Sequence, residues 1–149
     1  MSRKPFEGKI EFLEHTADVY VRTCGVSTQE AYENAALAMF ETITKTVKVA
    51  QKEEEVITVE AEDLYALLYN WLEALLVNSE TKGMLYSKFQ IVDWTETPDL
   101  FTITAHVWGE KFQPEKHPQK VAVKAVTYHR MAVMHEKEGN AVLEFILDI

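Results

Sequence analysis

MLYSKFQIVDW, residues 84–94, opens a run of four strand-like segments, followed by LFTITAHVWGE (100–110), KVAVKAVTYHRMAVM (120–134) and NAVLEFILDI (140–149). These segments are rich in β-branched and aromatic residues, which suit a pleated, half-buried surface. Turn residues separate them. Thr97, Pro98 and Asp99 make one break, the stretch from Gly109 to Gln119 with its two prolines makes a longer loop, and EKEGN (136–140) reads as a hairpin turn. Four successive strands of this kind predict antiparallel pairing over the second half of the chain.

The first half reads differently. STQEAYENAALAMFETI (27–43) opens with Ser27 and Glu30 in capping-box spacing, and its Tyr32, Ala36, Met39, Phe40 and Ile43 recur at three- and four-residue steps. A second helix starts at Asp63, with Leu64, Leu67, Leu68, Trp71, Leu72 and Leu75 on one stripe and a stop between Asn78 and Gly83. EVITVEA (55–61), with Val56 and Val59, reads as a short strand between the helices. Near the start, Ile10 and Phe12 alternate with Glu11, and Val19 and Val21 alternate with Tyr20 and Arg22, so two strands flank the cluster HTAD (15–18) or one bent strand contains it. The expected architecture is α+β: one domain over residues 1–149, six or seven strands in a largely antiparallel sheet, and two helices packed on one face.

A chain of 149 residues is long enough for one real core, and 47% hydrophobic with 26% charged residues is an ordinary globular composition. Its net charge of −9 repels phosphate backbones on average, so a strong direct grip on nucleic acid is not expected, whereas an acidic surface is compatible with a basic protein partner. Cys24 is the only cysteine, which excludes an internal disulfide and an all-cysteine zinc site and fits a reducing cytoplasm. MSRKPFEGKIEF lacks the apolar core of a signal peptide, and LYALLYNWLEALLV is too short and too polar to span a membrane, so no membrane association is expected.

Two aspartates stand out against this background. Asp18 interrupts apolar alternation, and Asp148 lies in EFILDI beside Ile149, which carries the terminal carboxylate. Anionic groups held close repel one another unless they are solvated or share a cation, and hard oxygen donors suit calcium or magnesium better than zinc. Spacing alone leaves the alternative open that Asp18 caps a turn and Asp148 frays into solvent. The histidines at 15, 106, 117, 129 and 135 show no zinc spacing; His15 either orients the neighbouring aspartate or bonds a strand end. There is no glycine-rich phosphate loop, no nucleophile elbow, and no histidine or lysine beside Cys24 to activate it. In VAVKAVTYHRM, Val121, Val123, Ala125 and Thr127 are expected on one face and Lys124, Val126, Tyr128 and Arg130 on the other, with Lys124 either solvated or reaching towards a partner. Tyr69 and Trp71 read as packing residues, and Phe89, Trp94 and Trp108 lack the flanking cations of a single-strand binder.

FLEHTADVYV, EAYENAALAMF, LYALLYNWLEALL, GEKFQPEKH, VKAVTYH and the terminal FILDI together resemble the archease family, from about Phe12 to Ile149. The resemblance implies an α+β fold and a divalent metal site built from Asp18 and Asp148 with Ile149 adjacent, calcium foremost and magnesium or manganese as alternatives. It also implies that Lys124 is needed for activity and that the protein is no enzyme but an activator of the tRNA-splicing RNA ligase, promoting its guanylylation and multiple turnover. Two other classes remain open at this point: a small metal-dependent phosphoesterase, and a chaperone or modulator of RNA-processing proteins.

Overall fold

The computed structural model describes residues 9–13 and 18–149. Strand β1 (Ile10–Leu13) and strand β2 (Asp18–Gly25), which starts at the aspartate of the HTAD cluster, pair antiparallel, with Phe12 opposite Val21 and Leu13 opposite Tyr20. Helix α1 (Thr28–Ile43) follows, its first turn closed by Ser27 Oγ accepting the Glu30 amide at 3.1 Å. The capping box is only half made. Glu30 reaches back to the amide of Val26, at 3.4 Å, instead of that of Ser27. Tyr32, Ala36, Met39 and Phe40 are buried as their spacing requires.

Strand β3 (Glu53–Ala61) turns Ile57 and Val59 inwards and leaves Val56 58% exposed. Helix α2 (Leu64–Lys82) is capped by Asp63, which accepts the Ala66 amide at 2.8 Å, and ends where Gly83 takes φ 64°. It runs straight through Asn78, because that side-chain amide donates to the Tyr86 hydroxyl at 2.8 Å and does not compete for the helix backbone. Strands β4 (Met84–Glu96), β5 (Phe101–Lys111), β6 (Ala125–Val126), β7 (Ala132–His135) and β8 (Ala141–Asp148) complete the order.

Among the described residues all pairings are antiparallel, and they build two sheets where one was expected, from eight strands instead of six or seven. The first sheet runs β1-β2-β8-β6, with β7 also on β8; the second runs β3-β5-β4. Both helices touch both sheets: α1 lies on β2, β8 and β4, and α2 on β3, β4, β5, β6 and β7. The helices are stitched together inside. Trp71 Nε1 donates to the Tyr32 carbonyl at 2.9 Å, and the Tyr32 hydroxyl donates to the Leu64 carbonyl at 2.5 Å. Tyr32, Phe40, Trp71, Tyr86 and Phe145 are fully buried in this core, each worth about 1.5–3 kcal/mol of apolar burial.

Segment 120–134 departs most from expectation. The Met131 amide returns to the Tyr128 carbonyl at 3.1 Å and Arg130 adopts φ 56°, a turn that no strand accommodates. The expected two-face alternation therefore fails, and Val123 and Val126, assigned to opposite faces, are both 5% exposed. Among the described residues no helix is long and apolar enough to cross a membrane.

Candidate functional site

Register is set by the core. On β2 and β8, Val21 opposite Phe145 and Thr23 opposite Leu143 are all buried, and a slip of one residue would turn these side chains to the outer face. The same register fixes the other face. It places Asp18 directly opposite Asp148, Tyr20 opposite Ile146 and Arg22 opposite Glu144. Directly paired residues have Cβ atoms about 4.5–5.5 Å apart, and like charges there are destabilising. On the far side of β8, Ala125 pairs with Asp148, and the Lys124 amide donates to the Asp148 carbonyl at 2.7 Å. Asp18, Asp148, Lys124 and the adjoining Ile149 thus meet at one end of the five-stranded sheet. Lys124 is exposed and stands one residue outside β6, so pleating does not fix the direction of its ammonium. His15 lies outside the described residues.

Further along this face Arg22 and Glu144 form an ion pair at 2.6 Å. Glu144 accepts from Arg22 Nε at 2.7 Å and from the Tyr20 hydroxyl at 3.2 Å, and the hydrogen bond to Glu144 holds the Arg22 guanidinium still more firmly protonated. Arg130 brings its guanidinium to 5.6 Å from the Tyr20 ring centre, a cation–π approach two residues along β2 from Asp18. Sequence reasoning missed Arg130 because it assigned that residue to a continuous strand. It also missed that Lys88 Nζ sits 4.5 Å from the Trp108 ring, although a single lysine makes no nucleic-acid groove.

Carboxylate oxygens such as those of Asp18 and Asp148 are donors of the class that hard divalent cations take. Calcium takes six to eight oxygen ligands at roughly 2.3–2.6 Å, from carboxylates, main-chain carbonyls and water, and a cation shared by one rung would offset the repulsion between its two acids. Among the described residues no group of three or more His, Cys, Asp and Glu side chains that could hold a metal ion gathers.

Residues 10–149 match the Archease protein family over nearly the whole chain. The chain belongs to the archease family. It is 45% identical over 143 residues to protein archease of Sulfurisphaera tokodaii, covering 95% of this chain and 99% of that one. Protein archease of Pyrococcus abyssi is 41% identical over 139 residues, covering 93% and 97%. The solution structure of a Methanobacterium thermoautotrophicum protein superposes with a TM-score of 0.82 at 38% identity, over 94% of this chain and 98% of that one. A crystal structure of a Thermotoga maritima archease, described as a possible chaperone, shares the fold with a TM-score of 0.56 at 18% identity, over 100% and 98% of the two chains.

One device in this archease was invisible to spacing. Between β5 and β6 the chain runs as an irregular strap, residues 112–124, fastened by two buried carboxylates. Glu110, 2% exposed, takes three donors on Oε2: the Lys116 ammonium at 2.7 Å, the Ala50 amide at 2.7 Å and His117 Nε2 at 2.8 Å. Because His117 Nδ1 accepts the Gln113 amide at 2.9 Å, its proton sits on Nε2, pointing at Glu110. Burial pushes the Glu110 carboxyl up, but Lys116, the Ala50 amide and His117 outweigh it and hold the group at about 2. Glu41, 5% exposed, accepts the Thr46 hydroxyl at 2.7 Å on one carboxylate oxygen and the Lys120 ammonium at 3.3 Å on the other; that ammonium also donates to the Glu41 carbonyl at 2.5 Å, and the Lys120 amide donates to the Ile43 carbonyl at 3.0 Å.

Proposed function

We propose that this protein activates the tRNA-splicing RNA ligase, speeding guanylylation of the ligase and its multiple turnover while carrying out no ligation itself. The observation that supports this reading most is the single rung that brings together Asp18, Asp148 and the Lys124 backbone. Asp18 and Asp148, with Ile149 beside them, hold a hard divalent cation, calcium first and magnesium or manganese as alternatives. When bound, that ion supplies positive charge against which phosphate oxygens can be oriented. The chain's own part is to bring the two acids to one point and to present Lys124, whose ammonium counters charge developing on a transferring phosphate. A net charge of −9 suits docking on a protein whose own surface is basic enough to hold RNA.

The test is reconstitution of purified ligase, GTP, a divalent ion and this protein, scored as ligase-nucleotide adduct formed per minute. Asp148→Ala and Lys124→Ala, each with a native circular dichroism spectrum, are expected to lose roughly tenfold or more of the stimulation. Calcium should raise the melting temperature of the wild type but not of Asp148→Ala, because only a ligand that binds the folded state stabilises it. A well-folded Asp148→Ala that stimulates fully would remove the reading. Undiminished stimulation without any divalent ion would remove the cation from it, and protection of unrelated clients from aggregation would favour a chaperone.

A further inference from the structure

Glu110 and Glu41 are buried carboxylates that the proposed activation does not use. Both grip the same strap, and the strap leads to Lys124. Glu110 holds Lys116 and His117, Glu41 holds Lys120, and four residues later the Lys124 amide reaches the Asp148 carbonyl. Between these fastenings the strap has no helix or strand to keep its course, and only Val123 enters the core. A segment of this kind follows its anchors, and the side-chain anchors here are charge-assisted hydrogen bonds to two buried carboxylates, made by His117 inside and by the part-exposed ammonium groups of Lys116 and Lys120.

We propose that Glu110 and Glu41 are positioning residues for Lys124, two clasps that hold the strap so that this lysine stands on the Asp18–Asp148 rung. Neither touches the ligase or its nucleotide; each acts through the strap. The functional half of this inference rests on the activator reading above, whereas the positional half does not.

Hydrogen exchange tests the position without any partner. In a Glu110→Gln/Glu41→Gln double variant the Lys124 amide should exchange faster by on the order of tenfold, with a smaller rise in each single variant, while the core amides of Val107 and Phe145 keep wild-type protection. Glutamine preserves shape and one acceptor but removes the charge. If the double variant does not fold, the singles carry the same comparison. Unchanged exchange at Lys124, or equal acceleration at Lys124, Val107 and Phe145, would overturn the proposal. The functional arm is a double-mutant cycle in the adduct assay. The clasp variants should lower maximal stimulation without changing the concentration of activator that half-saturates the ligase, and they should cost nothing further once Lys124 is alanine. An additive loss on top of Lys124→Ala would show the clasps acting elsewhere and would likewise overturn it. A wild type that gives no stimulation removes the activator reading instead, and the exchange comparison still decides whether the clasps place Lys124.

Discussion

Glu110 and Glu33 show how the same side chain, taken out of water, is driven in opposite directions by the donors it meets. Glu33 is pushed up by burial, since the Ile91 amide at 2.7 Å favours its charged form too little to compensate and Glu30 nearby opposes it. Glu110 feels the same push from burial, but Lys116, the Ala50 amide and His117 reverse it and hold the group at about 2. The sign of the consequence follows from linkage. A carboxyl whose folded value lies below its ordinary 4.5 contributes stability that is fully present above pH 4.5 and is lost as pH falls towards about 2. Denaturant titrations of the wild type and of Glu110→Gln should therefore differ most at neutral pH, with the wild type more stable, and should converge over that acidic window. A gap that stays constant down to pH 2 would mean that Glu110 is not held ionised by its clasp. In the sequence this residue was only part of GEKFQPEKH, because Ala50, one of its three donors, comes from a distant part of the chain.

At the scale of elements, what could be read was what is decided locally. Both helices were legible because a cap, a periodic stripe and a glycine stop are all short-range: Ser27, Asp63 and Gly83 do what their neighbours ask of them. Segment 120–134 was not, since its break needs no glycine or proline; Arg130 takes a left-handed conformation with its guanidinium over the Tyr20 ring, an interaction between distant residues. The second sheet hid another device. Strand β4 shifts register between Tyr86 and Lys88, and opposite that irregularity lies Gly109, paired with Tyr86. A Cβ placed on Gly109 would lie 1.8 Å from the Leu85 carbonyl oxygen, so the close approach of β4 and β5 is possible only with glycine there. Gly109→Ala should cost about 3 kcal/mol or more, because main chain and not a flexible side-chain tip would have to move. Chemical denaturation measures this, and a loss under about 1 kcal/mol would mean that the two strands part easily. Gly109 also immediately precedes Glu110, so the variant should loosen the strap and expose Lys124 amide exchange in parallel.

For the molecule as a whole, the decisive feature is that its last strand is central. β8 pairs with β2 on one side and with β6 and β7 on the other, and Leu143, Phe145 and Leu147 are fully buried. This is why the meeting of Asp18 with Asp148 could not be read from spacing: the register comes from packing between opposite parts of the chain, and only the archease resemblance suggested it beforehand. Without β8, strands β1 and β2 would be left as an isolated hairpin and β6 and β7 would have no partner, while two-stranded units are marginal in water. The three-stranded sheet would keep all its pairings, since β3, β4 and β5 bond only to one another. But α1, which lies on β2 and β8 as well as on β4, would lose one wall of its packing. A chain truncated before Ala141 is therefore expected to collapse without a fixed core, keeping much of its far-ultraviolet helical signal while losing the near-ultraviolet signal of buried Tyr32, Trp71 and Tyr86. Adding residues 141–149 back as a separate peptide should restore that signal in proportion to the strand bound. If the truncated chain instead unfolds in one sharp transition with its near-ultraviolet spectrum intact, the helices and the three-stranded sheet form a self-sufficient core, and the carboxylate rung is an appendage to the fold instead of its closing step.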